Sequence, residues 1–433
     1  MYLSSMRSAD ATRPADPAVP AVPAVPAVPA AAAATAEPVR RFRVPATVVA
    51  LGIVSFVTDA SAEMVTAILP MYLMYGLSLG YLQLGAVDGL YTGASALLRL
   101  GGGYAADRLD RPKAVATTGY ALSALTKLGF PLAGGSLAGL SGVVAVDRAG
   151  KGIRTAPRDA LITLATPAEG LGRAFGVHRA LDTAGALLGP LIAFGLLAAL
   201  PGAYDTVFTT SFCLAVTGVL VLVFFVRQPA RTAAGRAAVN LRAGLGVASQ
   251  PGVRRLVLAA ALLGLLTVGD MFLYVALQRQ AALPRTVLPL LPLGTAATFM
   301  LAAIPLGRVA DRVGRWRLFL GGHLLLIAAY LLVASNWTGW VLAGAILLLH
   351  GLFYAASDGV LMACAGPLVP EPLRATGLAV VQTAQALARA LGAVAFGAWT
   401  ASGGARPAFT GFAVLLAIAV LAGTRIYRPA ARA

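Results

Sequence analysis

The feature that most constrains this chain is a series of apolar runs, each long enough to cross a bilayer. A helix needs about 20 mostly apolar residues to span ~30 Å of hydrocarbon. Twelve such runs lie at about 44–74, 80–101, 114–135, 137–157, 173–200, 206–226, 256–278, 286–307, 318–335, 338–367, 375–402 and 407–424. Hydrophobic residues make up 58% of the chain and charged residues 12%, so a water-soluble surface is excluded. The sequence predicts an all-α membrane protein with twelve transmembrane helices.

The basic residues predict how these helices are oriented. Arginine clusters precede span 1, follow the even-numbered spans and end the chain, whereas the opposite loops hold little besides Arg279, Arg285 and Arg406. Lys and Arg accumulate in loops that stay in the cytoplasm. We therefore expect a multi-pass protein of the bacterial inner membrane with both termini in the cytoplasm. The net charge of +17 is explained by these loops, so the expected partner is membrane lipid and no nucleic acid.

Composition also divides the chain into segments. Residues 1–43 contain an Ala-Val-Pro repeat and an alanine run, which predicts a disordered cytoplasmic tail and not a signal peptide. The longest polar connection, at 227–255, is the expected cytoplasmic linker between an N-terminal six-helix bundle at 44–226 and a C-terminal one at 256–424. Residues 425–433 form a second cytoplasmic tail.

The two halves share an internal repeat. Gly103-Tyr-Ala-Ala-Asp107-Arg108-Leu-Asp-Arg111 follows span 2, and a second copy, Gly307-Arg-Val-Ala-Asp311-Arg312-Val-Gly-Arg315, follows span 8. A duplicated six-helix unit is typical of transporters that bind their solute between two halves.

These two loops resemble the loop signature of the major facilitator superfamily, Gly-x-x-x-Asp-Arg-x-Gly-Arg. Asp147-Arg148-Ala-Gly-Lys151-Gly152 in span 4 resembles the Arg-x-x-x-Gly element of the same family. Gly185-Ala-Leu-Leu-Gly189-Pro190 in span 5 resembles an element of its proton-coupled exporters. The resemblance implies two pseudo-symmetric six-helix bundles that carry a small solute by alternating access. Gly185, Gly189 and Pro190 are then expected at a helix-packing contact.

Charges at the helix ends are the candidate gating residues. Ion pairs of the loop motifs would form in one access state and break in the other, although simple anchoring by positive charge is an alternative. The cytoplasmic end of span 4 supplies an inner gate or a solvated cluster. The candidates are Gly103, Asp107, Arg108, Arg111, Gly307, Asp311, Arg312, Arg315, Lys151, Arg154, Arg158 and Asp159.

Charges at mid-membrane are the candidate coupling residues. Each costs at least ~2.5–3.5 kcal/mol there, so each should face a cavity and find a partner. Asp59 and Glu63 are four residues apart and share a helix face. Two close carboxylates cannot both ionise cheaply, so we nominate them as the proton-coupling pair, with Asp182 next. A structural ion-pair network that holds spans 1, 4 and 5 together is the alternative.

Substrate contacts are expected from both halves. Arg148 and Asp147 are the candidates in span 4; Asp270, Asp358, Phe272 and Tyr354 are those of the C-terminal half. Lys127, alone in span 3, would either extend to the membrane surface or pair with a carboxylate such as Asp88. The histidines are too few and too isolated for a metal site, and we expect no metal and no cofactor, with the proton gradient as the energy source.

Three functions compete. The leading hypothesis is a monomeric, proton-coupled efflux antiporter for a small organic solute. The second is an uptake symporter or uniporter for a sugar, a carboxylate or a siderophore-like molecule, in which Arg148 and Lys151 would receive an anionic group. A receptor or scaffold is the third, and the buried carboxylates argue against it. No nucleophile–base pair, phosphate loop or metal cluster indicates an enzyme.

Overall fold

The computed structural model describes residues 44–94, 111–167, 170–227, 246–369 and 374–427. Throughout these ranges the regular structure is helical and contains no strand. The helices are α1 (Ala46–Met71), α2 (81–94), α3 (Pro112–Ala133), α4 (Leu137–Leu164), α5 (Leu171–Ala199), α6 (Tyr204–Phe225), α7a (Pro251–Leu265), α7b (Asp270–Gln280), α8 (Leu291–Val313), α9 (Arg315–Ala334), α10 (Trp340–Ala365), α11 (Arg374–Gly403) and α12 (Ala405–Ile426). The predicted N-terminal tail lies outside the described residues, as do most of the predicted linker and C-terminal tail.

The described helices account for the predicted spans. Nine segments of the described chain are long and apolar enough to cross a membrane, and α7a and α7b together form one of them. The remaining three spans are α2, which is described only over 81–94, α3 and α4. α4 is not among the nine because six charged residues lie between positions 147 and 159. The predicted all-α membrane fold of twelve spans in two bundles is confirmed.

The two bundles repeat one packing pattern. In the N-terminal half, α1 packs on α5 and α6, and α3 packs on α4 and α6. In the C-terminal half, α7a packs on α11 and α12, and α9 packs on α10 and α12. Helices six spans apart therefore make equivalent contacts: α7a packs as α1 does, and α9 packs as α3 does. This is the pseudo-symmetry that the repeated loops predicted.

Small residues bring equivalent helix pairs into backbone contact. A Cβ on Gly189 of α5 would lie 2.5 Å from the carbonyl oxygen of Ala60 on α1, and one on Gly185 would collide with the backbone of Phe56. Gly392 of α11 meets the backbone of Leu265 on α7a in the same way. Only a residue without a side chain permits this approach, so both halves use glycine at the same crossing.

The halves themselves meet along α2 and α11. Cβ atoms on Gly85 and Gly89 would each lie 2.6 Å from a carbonyl oxygen of α11, at Ala393 and Ala390 respectively. The break between α7a and α7b lies beside this contact, because the carboxylate of Asp88 on α2 packs against Gly269. A side chain at any of these glycines would push the two bundles apart.

Candidate functional site

A cavity of about 550 Å³ lies between the two halves. Its walls come from the middle of α1, from α2, from the C-terminal half of α4 and from the N-terminal halves of α5 and α11. It is lined by Asp59, Tyr91, Thr92, Arg148, Lys151, Gly152, Arg154, Thr155, Arg158, Arg179, Asp182, Ala379, Gln382, Thr383 and Ala386. We call it the central cavity. It is displaced toward the end of the bundle where α1 begins.

The crossing of α3 and α4 positions the first group of charges. Cβ atoms on Gly119 and Gly150 would lie 2.8 and 2.6 Å from each other's carbonyl oxygens, so the two backbones touch. This approach brings Nζ of Lys127 to 2.6 Å from Oδ1 of Asp147. Of the two expectations for Lys127, extension to the membrane surface was wrong and pairing with a carboxylate is confirmed, although the partner is Asp147 of α4 and not Asp88.

Asp147 is the centre of this first group. Ser123 donates to its Oδ1 at 2.7 Å, and Arg148 donates to its other oxygen. The guanidinium carbon of Arg148 lies 4.0 Å from the centre of the Tyr91 ring, so one face of the arginine is stacked. Arg148 lines the central cavity, whereas Asp147 lies behind it as its counterion.

The second group of charges joins α1, α4 and α5. Nη2 of Arg154 lies 3.3 Å from Oδ1 of Asp59, and Nη1 of Arg158 lies 3.4 Å from Oδ1 of Asp182. The carboxyl groups of Asp59 and Asp182 are neighbours in this group and interact with each other in the wall of the central cavity. Two neighbouring carboxyl groups cannot both ionise without cost, so the pair is suited to hold a proton.

The partner of Asp59 therefore differs from the one expected. The sequence paired Asp59 with Glu63 on the same helix, whereas the carboxyl group that interacts with Asp59 belongs to Asp182 on α5. Glu63 faces Lys151 instead, with 3.9 Å between Oε1 and Nζ. The glycines of α5 explain this neighbour, because Gly185 and Gly189 bring α5 against the backbone of Phe56 and Ala60, on either side of Asp59.

Two further residues extend the second group. His178 on α5 is fully buried, and its Nε2 lies 3.4 Å from Oγ of Ser55 on α1. Nη1 of Arg158 also approaches that hydroxyl oxygen, at 3.4 Å. Nη2 of Arg158 lies 3.1 Å from Oδ1 of Asp159, and Nη1 of Arg179 lies 3.5 Å from Oδ2 of Asp182. The cytoplasmic-end candidates of span 4 are thus parts of the same network as the coupling candidates.

The opposite wall of the central cavity is uncharged. α11 contributes Gln382 and Thr383 together with two alanines. We did not predict these residues, nor Tyr91 and Thr92 of α2. The amide and the hydroxyl in span 11 could have predicted this wall, since polar side chains in a membrane span are costly unless they face a cavity or a polar partner.

The candidates of the C-terminal half lie away from this cavity. Tyr354 donates to Asp270 at 2.6 Å, and Arg389 donates to Tyr354 at 2.8 Å, so these three side chains form a separate cluster. Phe272 is 1% exposed and packs edge-on against another buried ring, as a core residue does. Asp358 is exposed on α10. The structure brings none of Asp270, Asp358, Phe272 and Tyr354 to the lining of the central cavity.

The repeated loop motif is described in its second copy. Gly307, Asp311 and Arg312 lie near the end of α8. Arg315 begins α9 and donates to the carbonyl oxygen of Ala363 at the end of α10, at 2.9 Å. A cation at a helix C-terminus is stabilised by the helix dipole. Of the first copy, Gly103, Asp107 and Arg108 lie outside the described residues, and Arg111 immediately precedes α3.

The end of the molecule opposite the central cavity is joined by contacts between the halves. Tyr75, just after α1, donates to Gln278 of α7b at 2.7 Å. Arg279 donates to Tyr75 at 3.1 Å and to Tyr81 of α2 at 2.6 Å. These bonds join residues about 200 positions apart, so they hold the two bundles together at this end.

Metal binding has no support in the part of the chain that the structure describes, where no three His, Cys, Asp or Glu side chains converge. The site is instead a network of paired charges around a cavity that is large enough for a small solute. Two bundles of the same helix packing that enclose such a cavity, joined at one end, define a membrane transport protein.

The chain belongs to the Major Facilitator Superfamily, whose family model matches residues 51–300 and 256–432. An uncharacterised MFS-type transporter of Methanocaldococcus jannaschii is 31% identical over 349 residues, which cover 77% of this chain and 83% of the relative. An uncharacterised protein of Mycobacterium tuberculosis is 36% identical over 159 residues, 36% of this chain and 38% of that protein.

Solved transporters share the fold. The nucleoside transporter NupG superposes with a TM-score of 0.74 at 14% identity, over 88% of this chain and 98% of that one. A bacterial homologue of the human lysosomal transporter Spinster, in an inward-facing and occupied conformation, gives a TM-score of 0.66 at 16% identity over 88% and 98% of the two chains. At these identities the likeness concerns the fold alone.

Proposed function

We propose that this protein is a proton-coupled secondary transporter that moves a small organic solute through the central cavity by alternating access. Asp59 and Asp182 are the proton-carrying pair. The observation that carries the proposal is that both carboxylates lie in the wall of that cavity, paired with the neighbouring cations Arg154 and Arg158. Movement of the C-terminal bundle away from this cavity wall during the access change would alter the solvation of the two carboxyl groups and so change the affinity of the pair for a proton.

Efflux antiport is the mode that the Gly185-to-Pro190 element favours. We place the protein in the bacterial inner membrane with both termini in the cytoplasm, so that the central cavity faces the cytoplasm in this conformation. It acts as a monomer in the lipid, with the proton gradient as its energy source and without a cofactor. A solute would enter from the cytoplasm and leave as the joined end opens and protons bind from outside.

Symport is the second candidate, and the cation-rich wall of the cavity favours it. Protonation of the carboxyl pair adds positive charge beside the arginines, so it would strengthen the binding of a negatively charged solute. Such a solute and the proton would then occupy the cavity together, as in a symporter.

Proteoliposomes that contain a pH-sensitive dye test the proposal. The solute added is the one that most raises the thermal midpoint of the purified protein, because a ligand of the folded state stabilises it by mass action. We expect added external solute to be taken up together with a change in internal pH. Internal alkalinisation indicates antiport, and internal acidification indicates symport.

Three variants locate the coupling. Asp59→Asn and Asp182→Asn should lose the solute-dependent pH change, whereas Asp205→Asn, an exposed carboxylate at the start of α6, should retain it. Solute uptake by the unmodified protein without any pH change would overturn proton coupling. A full pH change in both cavity variants would remove Asp59 and Asp182 from the mechanism.

A further inference from the structure

Cationic side chains outnumber carboxylates on the wall of the central cavity. The charged residues of the lining are Arg148, Lys151, Arg154, Arg158, Arg179, Asp59 and Asp182, five cations against two carboxylates. Excess charge in a low-dielectric site is costly unless an opposite charge approaches it. In this conformation the lining therefore carries more positive charge than its own carboxylates balance.

Neighbouring charges reduce this excess without removing it. Asp147 pairs with both Lys127 and Arg148, so one carboxylate serves two cations. Glu63 and Asp159 add two more carboxylates beside the lining, opposite Lys151 and Arg158. The complete network then holds six cations and five carboxylates. A proton shared by Asp59 and Asp182 would remove one further negative charge, so the network stays positive in either protonation state.

Among the cations of α4, Lys151 makes the longest contact with its neighbouring carboxylate. Its Nζ is 3.9 Å from Glu63, which is too long for a hydrogen bond, and 37% of its side chain is exposed. Arg148, Lys151 and Thr155 follow each other at intervals of three and four residues, so they share the face of α4 that lines the cavity. An ammonium group with free donors thus projects next to a stacked guanidinium and a hydroxyl.

The wall formed by α11 is polar and uncharged, in contrast to the cationic wall formed by α4. Gln382 and Thr383 carry no charge, and their side chains make no hydrogen bond within the described residues. They suit the neutral polar part of a solute whose charged end lies against α4. The cavity volume of about 550 Å³ is within the ~300–1,000 Å³ of small-molecule sites.

We infer that the solute is an organic anion with a carboxylate or phosphate group, bound by Lys151 and Arg148 on α4 and by Gln382 and Thr383 on α11. This deepens the proposed transport function, because it names the chemical class of what that cavity takes. The acid group comes either from a water-soluble metabolite or from the headgroup of a single-chain lipid. Binding can be measured without transport, so the two proposals fail separately.

Thermal unfolding of the detergent-purified full chain tests the inference with matched pairs of probes. The soluble pairs are succinate against succinamide and glycerol 3-phosphate against glycerol; the lipid pair is oleoyl lysophosphatidate against monoolein. All samples contain the same ionic strength of sodium chloride. We expect an anion to raise the thermal midpoint and its neutral partner to leave it unchanged. A response confined to lysophosphatidate supports an anionic lipid, and one to the soluble anions supports a metabolite.

Variants assign the response to the cavity. Lys151→Gln should weaken the apparent affinity about 10-fold or more, since a hydrogen bond to a charged group is worth ~1.5–3 kcal/mol. Lys151→Arg should restore it, and Arg425→Gln at the end of α12 should not change it. The inference is overturned if no anion raises the midpoint, if neutral partners act equally, or if Lys151→Gln responds as the unmodified protein does. If an anion raises the thermal midpoint but the unmodified protein moves no protons with the solute, only the proposed function is overturned.

Discussion

Nζ of Lys127 on α3 lies 2.6 Å from Oδ1 of Asp147 on α4, and the two side chains are 1% and 4% exposed. This ion pair fixes α3 to α4 behind the cavity wall. Because Asp147 also holds Arg148, the pair sets the position of a cation that faces the solute space. A contact outside the cavity thus shapes its electrostatics.

Lys127→Met is expected to destabilise the protein strongly. It leaves Asp147 buried with Arg148 as its remaining cationic partner, and removal of one member of a buried pair typically costs about 3–5 kcal/mol. The thermal midpoint in detergent should fall well below that of the unmodified protein. Arg425→Met, at the exposed end of α12, is the control and should change the midpoint little. Equal midpoints for the two variants would show that the buried pair contributes no net stability.

Gly189→Ala is expected to disrupt the crossing of α1 and α5. The new Cβ would lie 2.5 Å from the carbonyl oxygen of Ala60, where backbone cannot easily yield. Gly195→Ala on the same helix meets no atom within 4 Å, and alanine there should even favour the helix by ~1 kcal/mol. The measurement is the yield of monodisperse protein together with its thermal midpoint. Similar behaviour of the two variants would contradict the close packing.

Arg279→Gln is expected to loosen the joined end of the molecule. It removes hydrogen bonds from α7b to Tyr75 and Tyr81 of the other half. Exposed bonds of this kind together contribute about 1–2 kcal/mol, which is a roughly 5- to 30-fold change in the ratio of two states. The measurement is the rate of thiol labelling of Thr383→Cys in the cavity, in a background without Cys213 and Cys364. Labelling should become slower, because fewer molecules remain in the state in which this end is joined and the cavity is open.

Arg406→Gln is the control for that experiment. Arg406 donates to the carbonyl oxygen of Ser335, which lies in its own half, so its loss should not favour one access state. If the labelling rate at position 383 is the same with and without Arg279, the joined end does not control the access of the cavity.

Cysteine labelling in intact cells tests the predicted topology. Asn336→Cys, in the exposed loop between α9 and α10, should react with a membrane-impermeant thiol reagent added outside. Ser249→Cys, exposed just before α7a, should react only after the cells are opened. Both variants are made in the background without Cys213 and Cys364. The opposite pattern would invert the predicted orientation.

Much of the fold was predictable from local sequence. Each span is recognised from its own apolar residues, and the repeated Asp-Arg motifs at 103–111 and 307–315 gave the two-half architecture. The mid-membrane charges Asp59, Arg148 and Asp182 were found for the same reason, because a charge in an apolar run is costly and conspicuous. All three line the central cavity.

The partners of these charges were not predictable in the same way. Helical spacing suggested Asp59 with Glu63, yet the α1–α5 crossing brings Asp59 to Asp182. Lys127 was matched to no carboxylate of α4 because its pairing depends on the contact of Gly119 with Gly150. Phe272 and Tyr354 were predicted as cavity walls, and the rotation of their helices places them elsewhere.

The sequence by itself determined the class of this protein, its helices, its duplication and the identity of its buried charges, because hydropathy and charge are properties of each segment alone. The tertiary structure decided which charges meet, which wall of the cavity is cationic and which end of the bundle is joined. Those outcomes depend on how closely two helices approach and how each is rotated. Glycines set both quantities through backbone contact with other helices, and the local sequence around a glycine does not say which helix it will meet.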